Sequence, residues 1–540
     1  MKRLFGSTGG LKASQIRRLE NLYRRRIPTE FVVTFEIARE ISKLSHEISR
    51  QIGLLVNRLG KIACVILGNY QGIVIPDISE YRAAPGRLKG LRCIHTHLKK
   101  ESLTKDDLAD LVLLRLDIIA AITITTDGLP NQVHVGHILP KSQKGKQCRI
   151  LAPLNPGQLD IGCLELIKAV ETELAHAGHL YRADSGKERA ILISVTTAPR
   201  SIAMDSLAEL KELALSSGID VADTVLQQRR RVDSRFLIGL GKLQDITILI
   251  LKKGATLIVF DQELNPSQMR SISNKIDIKI IDRPQLILDI FAQRAQTREG
   301  KLQVELAQLR YLLPRLIAKS TAMSRLTGGI GGRGPGETKL EIHRRRVRDR
   351  IARLGKDVLL IKKQRKQQKA RRQKKDIPVI SIIGYTNAGK STLLNTLTKS
   401  DVRVEDRLFA TLDPSSRRLK FPKDVEVIIT DTVGFIKNLP KELMVAFRAT
   451  FEELESADLL LHVIDVSNPR FKDHIESVEK ILGDLNLNNI PLVRVLNKQD
   501  LVDGEIIDRQ IRQLDGIAVS ANNGLTLTPL LEKMHALIST

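Results

Sequence analysis

The chain has 540 residues, 42% of them apolar and 3% aromatic, with no Trp and a formal net charge of +25. That length exceeds what one hydrophobic core serves and predicts about three or four domains, while the absence of any bilayer-length apolar run and of a secretory stretch in MKRLFGSTGGLKASQ predicts a cytoplasmic chain with no stable membrane insertion. So few aromatic side chains argue against a base-stacking platform for single strands, and the positive charge reads instead as phosphate contact or recognition of folded RNA. Four cysteines, Cys64, Cys93, Cys148 and Cys163, make no CxxC pair and read as inert core residues of a reducing compartment.

Residues 1–185 mix apolar runs (KIACVILG, LDIIAAITITT) with the helical EIAREISKLSHEISRQIG, which predicts an α/β or α+β extension. Within it, IHTHLKKESLTKDD spaces His95, His97, Thr104 and Asp107 in a way that resembles the zinc motif of JAB/MPN-type metalloproteases. Arg50 and Gln51 stand near where that family's glutamate belongs, so a bound zinc there would lack a general base. The extension therefore reads either as a degenerate, non-catalytic version of that domain or, in preference, as a domain with ordinary core and loop histidines; His134 and His137 take the ordinary reading.

Over residues 186–290 strand and helix patterns alternate: AILISVTT, MDSLAELKELALSSG, VADTVLQQ, a Gly-punctuated helix, TLIVFD, a helix opened by NPSQ, then IKIIDR. A small parallel sheet follows. Residues 291–376 read as an antiparallel helical hairpin around TGGIGGRGPGE, with Leu306, Leu309, Leu313 and Leu316 facing Leu340, Val347, Ile351 and Leu354. Pro314 should kink or interrupt the first helix. The second carries 16 Lys+Arg against 3 Asp+Glu over 341–375, whereas residues 377–540 hold 19 against 23, so this helix is the polyanion candidate.

Strand and helix alternate again over 377–540, where GYTNAGKS fits GxxxxGK[ST] between the apolar PVISII and the helical STLLNTLTK. Gly384 and Gly389 let the backbone through Tyr385, Thr386, Asn387 and Ala388 wrap a polyphosphate with its N–H groups inward. Lys390 reaches the β and γ phosphates, and Ser391 offers a hydroxyl to Mg²⁺. In FATLDP (Phe409, Ala410, Thr411, Leu412, Asp413) Thr411 is a second hydroxyl ligand. In DTVG (Asp431, Thr432, Val433, Gly434) Asp431 holds the metal through water and the Gly434 amide senses the γ phosphate. Lys390, Thr411 and Gly434 are the expected catalytic set.

The base is chosen by NKQD (Asn497, Lys498, Gln499, Asp500). Asp500 accepts from the guanine N1–H and amino groups, Asn497 pairs with the Hoogsteen edge and Lys498 packs over the ring. Adenine lacks those donors, a mismatch worth a factor of about 10⁴ or more. SAN (Ser520, Ala521, Asn522) would present the Ala521 amide to the base carbonyl. Phe435 stands where small Ras-like GTPases place the Gln that orients water, which predicts slow hydrolysis by the isolated chain.

With RFLIGLGK, VFDQELNPSQ, GGIGGRGPGETKLE, GYTNAGKSTLLN, LFATLDPSSR, DTVGFIKNLP and NKQD, residues from about 188 to the end resemble the HflX family of translational GTPases. The resemblance implies a GTP/GDP switch with Mg²⁺ that binds the large ribosomal subunit and its rRNA, splits or rescues stalled ribosomes or assists ribosome biogenesis, and is a monomer off the ribosome. It places the hairpin against RNA, through Arg344, Arg345, Arg346, Arg348 and Arg350 and through Arg333 at the glycine-rich tip. The alternative is a GTP-controlled RNA-binding scaffold with incidental hydrolysis, separable by whether large subunits stimulate turnover. The expected fold is multidomain α/β, with a P-loop GTPase domain last, the small parallel domain and hairpin before it, and the extension first.

Overall fold

A computed structural model describes residues 4–76, 78, 81, 87–143, 146–177, 188–276, 278–327, 339–373, 377–398, 415–421, 426–432, 434–437, 444 and 454–538. They fall into two compact units, Met1–Leu207 with Ile219–Ile281, and Ala208–Gly218 with Asp282–Thr540.

The first unit opens with a seven-stranded sheet ordered β1-β3-β2-β4-β5-β6-β7. Its strands are β1 (Leu4–Phe5), β2 (Ile52–Asn57), β3 (Ile62–Leu67), β4 (Leu91–His97), β5 (Ile118–Ile124), β6 (Pro130–Gln143) and β7 (Lys146–Ile150). Helices α1 (Ala13–Asn21), α2 (Phe35–Ile48), α3 (Lys105–Leu113) and α4 (Cys163–Ala177) accompany it. Strand β5 is buried at every position, and for that reason IIAAITI reads as a continuous apolar run rather than an alternation. Strand β4 is equally buried although LRCIHTH carries Arg92, His95, Thr96 and His97. Arg92 Nη1 donates to the carbonyl of Phe31 at 2.8 Å. His95 and His97 instead meet Asp107 in the first turn of α3, which Thr104 caps. His95 and His97, read from the sequence as ordinary core and loop histidines, are both buried and both lie against Asp107.

A second sheet in this unit follows the alternation in the sequence: β8 (Arg189–Thr196), α5 (Arg200–Ser216), β9 (Asp220–Gln228), α6 (Leu240–Lys253), β10 (Leu257–Phe260), α7 (Pro266–Ser273) and β11 (Lys279–Asp282), ordered β11-β10-β8-β9. The β10, β8 and β9 pairings are parallel, as βαβ crossovers require.

In the second unit α8 (Arg283–Arg294) leads to the hairpin of α9 (Arg298–Thr327) and α10 (Lys339–Gln373). Leu306 and Leu354 are fully buried on it, with Leu309, Leu313, Leu316, Val347 and Ile351 half-buried. Pro314 does not interrupt α9: it sits on the exposed face, and the Arg315 guanidinium donates to the Tyr311 carbonyl at 2.9 Å in the same turn. Tyr311 itself is fully buried, its hydroxyl donating to Asp282 at 2.5 Å beneath Arg315. Such an anchor holds a helix through a missing backbone bond.

The chain closes on a six-stranded sheet ordered β13-β14-β12-β15-β16-β17, built from β12 (Val379–Gly384), β13 (Ser415–Lys420), β14 (Glu426–Asp431), β15 (Leu459–Asp465), β16 (Leu492–Asn497) and β17 (Gly516–Ala518), with α11 (Lys390–Thr398) directly after β12. The β12–β14, β12–β15, β15–β16 and β16–β17 pairings are parallel and β13 runs antiparallel to β14.

Candidate functional site

The carboxyl ends of β12, β14 and β16 carry Gly384, Asp431 and Asn497, on the edge of a parallel sheet where ligands of open α/β folds bind. Register staggers them: Asp431 pairs with Ile382, two residues before Gly384, while Gly384 pairs with Val463 of the intervening β15 and Val463 with Val495, two residues before Asn497.

Between β12 and α11 the loop turns at Asn387 (φ +61°) and Gly389 (φ +91°). A Cβ on Gly389 would lie 2.2 Å from Asn497 Nδ2, so the loop passes too close to β16 for any side chain there. Ala388 is buried and its carbonyl accepts from that same Asn497 amide at 2.8 Å. Thr386 donates its amide to the Phe435 carbonyl at 2.8 Å, and Phe435 returns an amide to the Gly384 carbonyl at 3.0 Å. The loop and the DTVGF segment are therefore stitched together by backbone bonds.

Lys390 is buried at the start of α11 and donates to the Tyr385 carbonyl at 2.8 Å. Burial pushes its ammonium down to about 8, against the charge of Asp431, which favours the protonated form. Ser391 donates to Asp431 at 2.7 Å, bringing a hydroxyl and a buried carboxylate together as hard oxygen donors of the kind magnesium takes. Thr432 donates to the Ile382 carbonyl at 2.7 Å. A Cβ on Gly434 would stand 2.9 Å from Lys390 Nζ, so its backbone lies against the lysine expected to hold the γ phosphate. Phe435 is fully buried, away from any role in orienting water. Of the remaining expected residues, Val433 and Phe409, Ala410, Thr411, Leu412 and Asp413 lie outside the described residues.

On the base side Asn497 is a strut. Its Nδ2 holds Ala388, and its Oδ1 accepts the Ala521 amide at 2.9 Å, which ties NKQD, SAN and the phosphate loop to one side chain. The Ala521 amide expected at the base carbonyl is thus engaged by Asn497 in this structure. Lys498, in the left-handed region (φ +63°), pairs with Asp465 at 2.7 Å, while Asp500 is exposed within the short 3-10 turn Gln499–Leu501. Ser520 receives its order from Thr526, whose hydroxyl accepts the Ser520 amide at 2.9 Å; Asn522 is exposed.

Sequence reasoning missed Asp465, Thr526 and the role of the Tyr385 side chain. The Tyr385 hydroxyl donates to Glu209 of α5 and accepts the Lys437 amide at 2.9 Å, and its ring stacks 3.8 Å from His474. Burial and the neighbouring Glu209 charge both push that phenol up. Glu209 in turn pairs with the buried Arg283. No local motif marks this network, because Glu209 lies far from Tyr385 in the chain.

On α10, Arg345, Arg346 and Arg348 are exposed and Arg344 is half-buried. Arg350 is committed to Glu305 of α9 through two bonds of 2.7 and 2.8 Å. Arg333 lies outside the described residues.

Three family models match in succession: "GTP-binding GTPase N-terminal" over residues 204–292, "GTP-binding GTPase Middle Region" over 294–372 and "50S ribosome-binding GTPase" over 379–498. The chain is 48% identical over 349 residues to the GTPase HflX of Caldanaerobacter subterraneus subsp. tengcongensis, covering 65% of this chain and 80% of that protein. It is 44% identical over 352 residues to the namesake from Lacrimispora saccharolytica (65% and 83% covered) and 41% over 361 residues to that of Escherichia coli (66% and 84% covered).

Proposed function

This chain belongs to the HflX family of GTPases, and from that premise we propose that it spends GTP hydrolysis on binding and releasing the large ribosomal subunit, splitting or rescuing stalled ribosomes or assisting their biogenesis. The observation that carries the reading is the division of labour within the second unit: a nucleotide site at the end of β12 and a helix that exposes Arg345, Arg346 and Arg348. The matched model for the last domain is described as a 50S ribosome-binding GTPase, which supports a ribosome-associated role.

In the proposed cycle the loop amides and Lys390 hold the triphosphate. Ser391, Thr411 and Asp431 would hold Mg²⁺, which would supply charge neutralisation to the phosphates. The Gly434 amide reports the γ phosphate to the segment that Tyr385 and Phe435 fasten to the loop. Asp500 selects guanine, with Asn497 keeping the base loop in register. With Phe435 buried, the chain has no glutamine in the usual water-orienting place, so turnover is slow until the ribosome orders the switch segments.

Cosedimentation with purified subunits in a non-hydrolysable GTP analogue and in GDP tests this, together with GTP turnover with and without large subunits. The expected outcome is retention on the large subunit with the analogue, release with GDP, and clear stimulation of turnover. Binding indifferent to the nucleotide, or turnover that large subunits leave unchanged, defeats the proposal.

A further inference from the structure

Tyr385 fills a position of GxxxxGK[ST] that phosphate holding leaves to any side chain, yet it is buried and engaged on three sides. Its ring stacks on His474 of the helix Phe471–Asp484, with centroids 3.8 Å apart and planes 2° from parallel. Its hydroxyl donates to one oxygen of Glu209, which stands 176 residues earlier in the chain, and accepts the Lys437 amide at 2.9 Å. The other oxygen of Glu209 accepts from Arg283, the first residue of α8. Glu209 and Arg283 are only 7% and 2% exposed.

Stacking uses the ring alone, and a phenylalanine would serve it as well. What the hydroxyl adds is a bridge. An ionised carboxylate can only accept, so Glu209 fixes the direction of the Tyr385 O–H and leaves the oxygen lone pairs for the Lys437 N–H. Burial and the Glu209 charge push the phenol up, so it keeps the proton that this direction needs. Arg283 supplies the counter-charge without which Glu209 would be too costly to bury. A buried ion pair adds little net stability over an apolar pair of the same volume, so stability alone does not account for one set against the phosphate loop.

The backbone that this bridge holds is the one next to the γ-phosphate position. The bonds from Thr386 and Gly384 to Phe435 fix one point of it, and the Tyr385 hydroxyl fixes a second point two residues on. Held at both, Gly434 lies against Lys390, where a Cβ would stand 2.9 Å from Nζ, while the Tyr385 carbonyl accepts from the same Nζ at 2.8 Å. With the second point lost, the segment is free to pivot about Phe435.

We propose that Glu209, paired with Arg283, is a positioning residue for GTP hydrolysis: through the Tyr385 hydroxyl it pins the backbone at Lys437, so that the Gly434 amide meets the γ phosphate as charge develops there. The inference rests on the Gly434 contact proposed above and is independent of the ribosomal partner. Other groups hold the base and the remaining phosphates, so the effect falls on the chemical step and spares nucleotide affinity.

Single-turnover hydrolysis by the isolated full chain, alongside titration with fluorescent GDP, tests this. Y385F removes one oxygen and keeps the ring; E209M/R283M removes both buried charges at similar volume. Each should slow hydrolysis about tenfold and leave GDP affinity within about twofold of the parent. The triple variant should be no slower than either, because both changes act on one bond. Should E209M/R283M fail to fold, E209D, which keeps the charge beside Arg283 but draws the carboxylate back from Tyr385, takes its place in the same cycle. A purely structural network would instead lower the thermal midpoint and leave the rate of the folded protein at the parent value. That result overturns the proposal, as does a triple variant whose slowing is the product of the two. No ribosomal subunit enters the assay, so its outcome is separate from that of the cosedimentation test.

Discussion

Lys390 gives the nucleotide site a pH signature. Its buried ammonium titrates near 8 in the chain without nucleotide, and bound phosphates favour the charged form, so the bound-state pKa is higher. Below about 8 both states are protonated and this lysine adds no pH dependence; above it the free state has lost its proton and binding must take one up. GTP and GDP affinity should therefore fall as pH rises from about 8, by up to tenfold per unit, accompanied by proton uptake. Fluorescent-nucleotide titrations across that window, with calorimetry in two buffers of different ionisation enthalpy, measure both; a flat profile to about pH 10 removes Lys390 from the phosphate contact. This residue, Ser391, Asp431 and Asn497 were legible in the sequence because each sits in a contiguous motif at a strand end. Asp465, Thr526 and Glu209 were not, since each is a lone polar residue whose partner arrives only through tertiary pairing.

At the scale of the hairpin, apolar spacing predicted both helices and their seam, because that periodicity is set by helix geometry alone. Whether Pro314 ends the helix depends on the Tyr311 anchor and on which face points outward, neither of which spacing shows, and spacing could not tell that Arg350 is held by Glu305. Arg350 and Glu305 form a bidentate clasp between α9 and α10 with side chains 46% and 40% exposed, so solvent screening leaves the pair little effect on stability. Replacing Arg350 by Ala should hardly change the dependence of ribosome binding on salt, whereas Ala at Arg345, Arg346 or Arg348 should each lower the slope of log K against log salt by about 1. Glu305→Ala, which releases Arg350, should leave stability nearly unchanged and raise the slope. Equal slopes for Arg350→Ala and Arg346→Ala would show that the clasp opens on RNA.

For the molecule as a whole, the alternation of strand and helix located the sheets, but sequence periodicity could not show that the first two share side chains. Ile248 and Leu251 of α6, 5% and 1% exposed, belong to the apolar core of the seven-stranded sheet, while Leu113 of α3 belongs to the core around β8 and β10. Lys275 and Asp110 add an ion pair at 3.6 Å across the same junction. Deleting residues 1–185 would therefore strip the cover from Ile248 and Leu251, each contributing about 1.5–3 kcal/mol when buried, out of a margin of about 5–15 kcal/mol for an ordinary domain. The truncated chain should still bind GTP, whose expected binding residues all lie in the second unit, but should bind a hydrophobic dye and aggregate at lower temperature than the full chain. Substituting Ile248 and Leu251 together by Gln should reverse sign with context, destabilising the full chain by creating buried unpaired amides while making the truncated one more soluble. If the double substitution destabilises both chains alike, those side chains are core residues of the α/β domain in their own right and the first sheet is a separable attachment.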